Sequence, residues 1–560
     1  MNQLQTIDYA AIVLYMIMVS GIGIYLGRYV KNINDYFKGG NSVSWVANGI
    51  SNFMTMFSTS IFVAYAGIAY THGLVALTVI WCSVPPSIFA ALVLAKRWQR
   101  AGIISPVEFL ETRFNAPVRQ VLSWGGVGFK VLDEMIKLYA IGLFVAAATQ
   151  IPLETAILSC GVVVLFYTVA GGLWAVVVTD VVQFIILGLT TIILLPLSIQ
   201  AAGGFSNISQ QLPEHLTFTN GPKGAPLYLM VYYVMVLIKF CGNWAFMQRF
   251  YSAESESDAR KTGFLSASLF LLFPIVFLIP AIVARIIIPD LADPEMAYVS
   301  VCLRLLPTGL MGLMISAMFA ATMSTLSAEY NVTASVITSD IYKRLFNPDA
   351  TPVQLLWVGR LSTVALGLMV TLGALFVGGF GGAFEANKLF TGLFAIPMVV
   401  PLVFGILLRK PNPAGAIGSV VGGIIVGLLL NAFSSVRWEV ATLIEIVTCF
   451  LIFWGSGFFK SQDPAYNQRV RAFFAKLERP VVKAKDRTVD AMHYVLRRLY
   501  AVALASTGTL FIILGMPSVE VYSGKIAMGV GVVCVLVAVY LFRVKQEQVR
   551  IIEEQKEHVS

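Results

Sequence analysis

Charged residues are scarce in this chain of 560 residues, where they make up 12%, whereas apolar residues make up 58%. Soluble globular domains carry about 25% charged residues, so the composition excludes that class. The six cysteines stand singly, without a CxxC pair or another metal-binding spacing. The chain does contain long continuous apolar runs, and a lipid bilayer accommodates such runs only as helices. We therefore predict an all-α polytopic membrane protein.

The apolar runs predict about fifteen membrane spans, each long enough to cross a bilayer as a helix. The first run lacks a basic leader and a small-residue cleavage site, so we expect it to be retained as a span and not removed as a signal peptide. The predicted spans lie near residues 8–27, 44–71, 74–96, 117–149, 152–170, 174–200, 226–250, 262–287, 308–341, 354–379, 386–408, 412–433, 438–459, 500–516 and 524–543.

The basic residues indicate the orientation of the chain. Lys and Arg cluster in loops that all fall on one side of the predicted membrane, and by the positive-inside rule that side is the cytoplasm. We expect a multi-pass plasma membrane protein of a bacterial inner membrane, with its N-terminus outside and its C-terminus inside. The formal charge of +9 thus reflects topology and does not predict a nucleic-acid partner. The polar stretch 461–499 is expected in the cytoplasm, as an amphipathic helix on anionic lipid or as a solvated connector.

A patch of small hydroxyl residues interrupts the apolar segment 308–341. Helical spacing puts Ala321, Ser324 and Thr325 on one face, with Ser327 beside Ser324. A hard cation such as Na⁺ needs several oxygen ligands, which hydroxyls and the carbonyls of a broken helix can supply. The alternative is structural, since such hydroxyls also bond back to the carbonyl four residues earlier or allow close helix packing.

Five motifs occur in an order and spacing that resemble the sodium:solute symporter family. The resemblance covers roughly residues 8–410 and implies a leucine-transporter-type inverted repeat, with five plus five core helices. The implied layout is a leading span and inner loop at 1–43, the transport core at 44–410, two accessory spans at 411–460, the basic segment 461–499 and two further spans with a tail at 500–560. The motifs are Asp35-Tyr-Phe-Lys-Gly-Gly40, Pro106-Val-Glu-Phe-Leu-Glu-Thr-Arg-Phe-Asn115, Gly171-Gly-Leu-Trp-Ala-Val-Val-Val-Thr-Asp-Val-Val-Gln183, Gln248-Arg249 and Asp340-Ile-Tyr-Lys343.

The resemblance also implies a sodium site. Family members hold one Na⁺ with two hydroxyl residues and a carbonyl of core helix eight and with two carbonyls of core helix one. The matching residues here are Ser324, Thr325 and Ala321, together with Met54 and Phe57. The run around Met54 contains neither Gly nor Pro to force a break in that helix.

A second sodium site, or an exit path for the ion, is implied by Asp180 and Ser327. Ala328 departs from the pattern, because members with two sodium ions carry a Ser at that position. Asp180 also has a structural interpretation, since a carboxylate near the start of a helix is stabilised by the helix dipole. An ionisable residue within a span nevertheless predicts a functional role.

The solute site is expected at mid-membrane, where sugar-transporting relatives carry Gln, Glu, Asn and Tyr. The matching positions here lack that set, so glucose is not the expected solute. The residues predicted to bind solute are Ile61, Glu134, Lys239, Phe240 and Lys388. A buried lysine needs an anionic partner or a wet cavity, which predicts a carboxylate, an acidic sugar or an amino acid. The alternative is that the charges pair internally, for example Asp133 with Lys137.

Together these features predict Na⁺-coupled symport of a small organic solute by alternating access, with Na⁺ and the solute as partners. An H⁺-coupled carrier of the same fold and a membrane sensor that does not transport stay open as alternatives. No HExxH, GxSxG or P-loop sequence is present, so no enzymatic activity is expected. The sequence predicts neither the identity of the solute nor the oligomeric state.

Overall fold

The computed structural model describes residues 4–27, 33–39, 43–58, 61–219, 221–380, 383–432, 436–459, 463–480, 487–516, 519–520 and 522–557. These residues are helical almost throughout and contain no strand, apart from one isolated bridge between Val43 and Ala253. The all-α prediction is therefore confirmed.

Twenty-four α-helices follow one another along the described chain. They are α1 Thr6–Gly27, α2 Ile33–Lys38, α3 Trp45–Met56, α4 Ala66–His72, α5 Val75–Ile80, α6 Val84–Phe89, α7 Ala95–Ala101, α8 Phe109–Arg113, α9 Ala116–Thr149, α10 Leu153–Ala201, α11 Gly204–Gln211, α12 Pro226–Cys241, α13 Trp244–Tyr251, α14 Glu256–Ile287, α15 Ala297–Leu305, α16 Leu310–Val336, α17 Pro352–Ala374, α18 Ala383–Phe390, α19 Ile396–Leu407, α20 Pro413–Ala432, α21 Trp438–Gly455, α22 Pro464–Glu478, α23 Arg487–Gly515 and α24 Tyr522–Glu557.

Shorter irregular turns connect or extend these helices. The wider π-helical turns are Ile61–Tyr65, Ala90–Leu94, Ile337–Phe346 and Thr391–Ala395. The tighter 3₁₀ turns are Trp81–Ser83, Glu214–Leu216, Pro222–Gly224, Pro294–Met296, Val377–Phe380 and Ser456–Phe458. Each π-helical turn continues a neighbouring α-helix, so helices interrupted in this way still act as single spans.

Nine helical segments of the described chain are long and apolar enough to cross a membrane, and three bent pairs bring the number to as many as twelve. Two of the remaining predicted spans fall on shorter apolar stretches, Thr6–Val19 and Tyr500–Gly515. The predicted spans 152–170 and 174–200 lie within one unbroken helix, α10, which has 49 residues. At about 1.5 Å per residue, its length is about two and a half times the hydrocarbon thickness of a bilayer.

Two helices at the centre are broken. α3 and α4 meet at 61°, and α12 and α13 meet at 53°. Gly242 stands at the second break, where a Cβ atom would come within 2.3 Å of the Val399 side chain, so only glycine fits. Asn243 then caps α13 by accepting a hydrogen bond from the Phe246 N–H at 2.8 Å.

The helix between these two breaks is α16, and all of its 27 residues are buried. Small side chains make up much of its surface, which allows α1, α3, α9, α10 and α13 to pack closely around it. α16 therefore contacts both broken helices, through α3 and through α13.

The basic segment predicted at 461–499 begins with α22, which packs on the protein. Val470, Phe473, Phe474 and Leu477 are buried, and the Phe473 ring stacks on Phe109. Lys476 donates a hydrogen bond to the Ala101 carbonyl at 2.6 Å. Neither a lipid-bound helix nor a solvated connector describes α22, because its apolar face covers α8 and the end of α7. Residues 481–486 of that segment lie outside the described chain.

Candidate ion and solute sites

The predicted sodium residues of α16 and α3 come together in the structure. The Thr325 Oγ1 donates to the carbonyl of Met54 across the helix interface at 3.3 Å and to the carbonyl of Ala321 in its own helix at 3.2 Å. One hydroxyl thus joins two of the three carbonyls that were predicted to bind the ion. Residues 321, 324 and 325 are at most 1% exposed, so the patch lies in the protein core.

Phe57, the remaining predicted ion residue, follows directly after the end of α3. Its backbone has left the helical conformation (φ −113°, ψ 81°), and its N–H bonds back to the Met54 carbonyl at 3.2 Å. The Ile61 N–H bonds to Ser58 and thus does not continue the α-helical ladder to Phe57. The predicted break therefore forms without Gly or Pro among the described residues of this run, and it frees carbonyl groups next to α16.

The Ser324 hydroxyl supports a cation at this position. It is fully buried and makes no hydrogen bond of good geometry within the described chain, although it lies close enough to Asp180 to interact with it. A buried hydroxyl without a hydrogen-bond partner destabilises the folded state, and a ligand that binds the hydroxyl oxygen removes this cost. The donor set consists of three carbonyl and two hydroxyl oxygens, which is the chemistry that a hard cation requires.

Asp180 lies beside the ion patch in a network of buried polar groups. Its Oδ2 accepts a hydrogen bond from the Ser51 hydroxyl and lies 3.6 Å from the Arg249 Nη2. Arg249 also donates to Ser51 at 2.8 Å, to Thr55 at 3.2 Å and to Gln248 at 2.9 Å. The place next to the carboxylate that a second sodium ion was predicted to fill therefore already holds a guanidinium.

Ser327 does not join Asp180 in this arrangement. Its hydroxyl donates back to the Ser324 carbonyl at 3.1 Å, which is the structural role that the sequence left open for these hydroxyls. The possible second sodium site or exit path at Asp180 and Ser327 stays a prediction. In this conformation Arg249 already compensates the Asp180 carboxylate at close range.

A cavity with an empty volume of about 870 Å³, including the part open to solvent, lies between the broken helices and α9. The predicted residues Ile61, Lys239 and Phe240 all line it, as does the newly recognised Asn387. The other lining residues include Thr55, Met56, Ser58, Ala64, Tyr65, Ile80, Cys82, Ser83, Asp133, Ile136, Lys137, Tyr232, Met235, Val236 and Asn243.

Lys239 is the central charged group of this cavity. Its ammonium donates to Asp133 at 3.2 Å, to Asn387 at 3.3 Å and to Thr391 at 2.8 Å. Lys239 also lines a second cavity of about 450 Å³, together with Asn243. Lys239 and Asn243 therefore border both cavities.

The remaining charges of α9 pair internally. Lys137 lies 3.1 Å from Asp133 and 2.5 Å from Glu134, as the i, i+4 and i, i+3 spacings allow. Lys130 lies 2.9 Å from Glu329. Glu134 is buried but does not line the solute cavity, so its predicted contact with solute is not supported by the structure.

Lys388 lies outside the solute cavity. It pairs with Glu385 at 2.5 Å and stands over the Trp438 ring, 5.4 Å from its centroid. It lines a separate space together with Glu445 of α21. The predicted contact of Lys388 with the solute is therefore not supported by this conformation, because Lys388, in the last turn of α18, lies against Trp438 of the accessory helix α21.

Sequence reasoning missed three polar residues that bind the buried lysines. Asn387 and Thr391 bind Lys239, and Glu329 binds Lys130. Glu329 carried a readable signal, because an acidic residue within a span predicts a partner or a function. Asn387 and Thr391 carried none, since uncharged polar residues are common in spans.

The chain matches the family model for the "Sodium:solute symporter family" over residues 36–423. The chain belongs to the sodium:solute symporter family. It is thus a Na⁺-coupled secondary transporter of a small solute, a multi-pass membrane protein and not an enzyme. These predictions are confirmed, and so is Na⁺ as the coupling ion.

Curated relatives of this symporter transport different solutes. It is 30% identical to the sodium/glucose cotransporter of Vibrio parahaemolyticus, in an alignment that covers 76% of this chain and 86% of the relative. It is 25% identical to the sodium/sialic acid symporter NanT of Aliivibrio fischeri, over 80% of this chain and 92% of the relative. Identity to the human sodium/myo-inositol cotransporter 2 is also 25%, over 75% and 69% of the two chains.

A solved structure supports the fold of this symporter. The substrate-bound, outward-open form of a Na⁺-coupled sialic acid symporter superposes with a TM-score of 0.73 at 24% identity, covering 82% of this chain and 98% of that one. This superposition confirms the predicted leucine-transporter-type fold class, whereas the predicted number of spans stays a prediction.

Proposed function

We propose that this symporter carries one Na⁺ together with one small solute that bears a carboxylate, such as an organic acid, an acidic sugar or an amino acid. The observation that carries this proposal is the position of the Lys239 ammonium, which borders both cavities. Ile61 and Phe240 supply apolar contact with the solute in the larger cavity.

The ion is held by the carbonyls of Met54, Phe57 and Ala321 and by the hydroxyls of Ser324 and Thr325. In the structure, the Thr325 hydroxyl donates to two of these carbonyls, so their oxygens already meet at one point. When the ion binds there, the Thr325 O–H keeps its proton and turns it away, and its oxygen faces the ion. Na⁺ binding draws the end of α3 toward α16 because one cation attracts oxygens from both helices. This links the presence of the ion to the position of the first broken helix.

The solute carboxylate exchanges with Asp133 as the partner of Lys239. Asp133 can release Lys239 at modest cost, because Lys137 holds its Oδ2 at 3.1 Å and Asn387 donates to its Oδ1 at 3.3 Å. Lys239 keeps Thr391 as a hydrogen-bond partner during the exchange. A charge-assisted hydrogen bond contributes roughly 1.5–3 kcal/mol, which corresponds to about 10- to 150-fold in affinity.

A second candidate is a neutral sugar, which the glucose relative favours. Against it, three positions that sugar-transporting relatives fill with polar groups are apolar here, namely Ile61, Ile80 and Val236, and all three line the cavity. A sugar hydroxyl facing these side chains would lose hydrogen bonds to water without replacement.

We further propose a plasma membrane location of the bacterial inner membrane type, with the N-terminus outside and the C-terminus inside. Clustered Lys and Arg in the loops of one side support this orientation. The layout of a leading segment 1–43, a core 44–410 and trailing segments 411–460, 461–499 and 500–560 goes with it. H⁺ coupling is the alternative that replacement of Na⁺ by choline at fixed pH would reveal.

The experiment is counterflow in proteoliposomes with a panel of sugars, carboxylates and amino acids, with NaCl or choline chloride. We expect Na⁺-dependent counterflow of carboxylate-bearing solutes, reduced by about tenfold or more in affinity by Lys239→Met. Lys388→Met is the matched control, because that lysine lies outside the solute cavity, and it should behave like the wild type. Unchanged affinity in Lys239→Met, or counterflow of neutral sugars alone, would refute the proposed solute class.

A further inference from the structure

Glu329 is a buried carboxylate to which the ion and solute sites described above assign no role. It lies on α16 one turn beyond Thr325, so the two side chains share a face of the helix. It is 1% exposed, and one of its oxygens, Oε2, has no hydrogen-bond partner in the described part of the chain. A charge is costly at this depth, so its position calls for a function.

The other oxygen of Glu329 binds two different elements. Its Oε1 accepts from the Asn243 Nδ2 at 2.6 Å and from the Lys130 Nζ at 2.9 Å. Asn243 stands at the break between α12 and α13, and Lys130 belongs to α9. The carboxylate therefore ties α16 to the broken helix that carries Lys239.

Asn243 gives this contact a direct route to the solute. It lines both cavities and caps α13 through its Oδ1, while its Nδ2 reaches Glu329. A shift of Glu329 thus alters the orientation of α13 and the shape of the solute space together. On the same face of α16, Thr325 holds the first broken helix through Met54.

We propose that Glu329 is a positioning residue that couples the ion site to the solute site. Na⁺ fixes the end of α3 against α16, and Glu329 transmits the position of α16 to the break in α12 and α13 through Asn243. The coupling is reciprocal, so solute binding strengthens Na⁺ binding by the same factor. This inference rests on the proposed ion site, and its test separates the two.

The test uses Na⁺ alone as the ligand and a thiol reagent as the reporter. Ser83 lines the solute cavity, and Ser83→Cys in a Cys82→Ala background places one new thiol there. Two quantities are measured in NaCl and in choline chloride for the full-length protein. The first is the thermal unfolding midpoint, which reports Na⁺ binding. The second is the maleimide labelling rate of the thiol, which reports how accessible the solute cavity is to the reagent.

With the native Glu329, we expect Na⁺ to raise the unfolding midpoint and to change the labelling rate by about fivefold or more. In Glu329→Gln the midpoint shift should persist, whereas the labelling rate should become nearly independent of Na⁺. Asn243→Ser should give the same result, because serine still caps the helix but lacks the amide donor. Glu445→Gln is the matched control, a buried carboxylate in another cavity, and should retain both responses.

Each alternative result has a definite meaning. If Glu329→Gln and Asn243→Ser keep the Na⁺-dependent labelling change, the coupling role is refuted and the ion site stands. If they lose the midpoint shift as well, Glu329 supports the ion site itself, which also refutes the inference. If the protein with native Glu329 shows no midpoint shift, the proposed ion site fails. Should Glu329→Gln not fold, Asn243→Ser decides alone.

Discussion

Replacing Arg249 should change the number of sodium ions that bind per transport cycle. Arg249 and Asp180 are both fully buried, with 3.6 Å between the Nη2 and Oδ2 atoms. In the wild type this guanidinium compensates the carboxylate, so we expect one Na⁺ per cycle and a Hill coefficient of one. In Arg249→Met the carboxylate loses its cationic partner, while the Ser51 hydroxyl remains.

The size of the effect follows from the cost of an uncompensated buried charge. Removing one partner of a buried ion pair costs about 3–5 kcal/mol, so Arg249→Met should be strongly destabilised in choline chloride. A sodium ion beside Asp180 restores a positive charge. At a Na⁺ concentration about 100 times the dissociation constant of this new site, Na⁺ binding raises the free energy of unfolding by about 2.7 kcal/mol.

The assay combines unfolding in NaCl and choline chloride with the Na⁺ dependence of solute uptake at an alkaline pH, which disfavours protonation of the carboxylate. Arg249→Met should gain more stability from Na⁺ than the wild type, and its Hill coefficient should rise toward two. Arg249→Lys keeps the charge and serves as the control, with a Hill coefficient of one. A wild-type Hill coefficient of two, or no additional Na⁺ stabilisation of Arg249→Met, would refute the reasoning.

Three further predictions concern separate parts of the molecule. Ser324→Ala combined with Thr325→Ala should abolish Na⁺-stimulated uptake at a normal protein level in the membrane, and uptake that stays Na⁺-stimulated would contradict the ion site. The Arg344 guanidinium lowers the pKa of Glu111 in the folded protein. The ionised carboxylate therefore stabilises the fold fully at pH values above its unfolded pKa of about 4.3, and this stabilisation is lost as the pH falls through the lower folded pKa. Glu111→Gln should therefore unfold at a lower temperature than the wild type at neutral pH and at a similar temperature in acid, and an equal difference at both pH values would contradict this. Arg469→Met should loosen α22, because Arg469 donates to the Phe114 carbonyl at 2.6 Å, and protease cleavage near α22 should become faster, whereas an unchanged rate would show that the apolar face alone holds it.

Much of the fold could be predicted because a bilayer restricts the backbone to helices. The adjacent hydroxyls of Ser324 and Thr325 are visible in the sequence as an unusual pattern within an apolar span, and their role as ion ligands stays a prediction. The break after Met56 was harder to predict, because no Gly or Pro marks it and its geometry depends on packing against α16.

The partners of the buried charges could be predicted only where both lie on one helix. The pairing of Asp133 with Lys137 follows from helical spacing alone. The pairing of Asp180 with Arg249 and that of Glu329 with Lys130 join residues far apart in the chain. Lys388 illustrates the same limit, since whether a lysine faces the solute or the accessory helices depends on how α18 is oriented in the fold.

The most direct test is a structure determined in saturating NaCl, at a resolution that reveals the coordination of a light ion. We predict one Na⁺ bound by the carbonyls of Met54, Phe57 and Ala321 and the hydroxyls of Ser324 and Thr325, with Arg249 still beside Asp180. Density for an ion at Asp180 with Arg249 displaced, or no ion between the end of α3 and α16, would contradict the account.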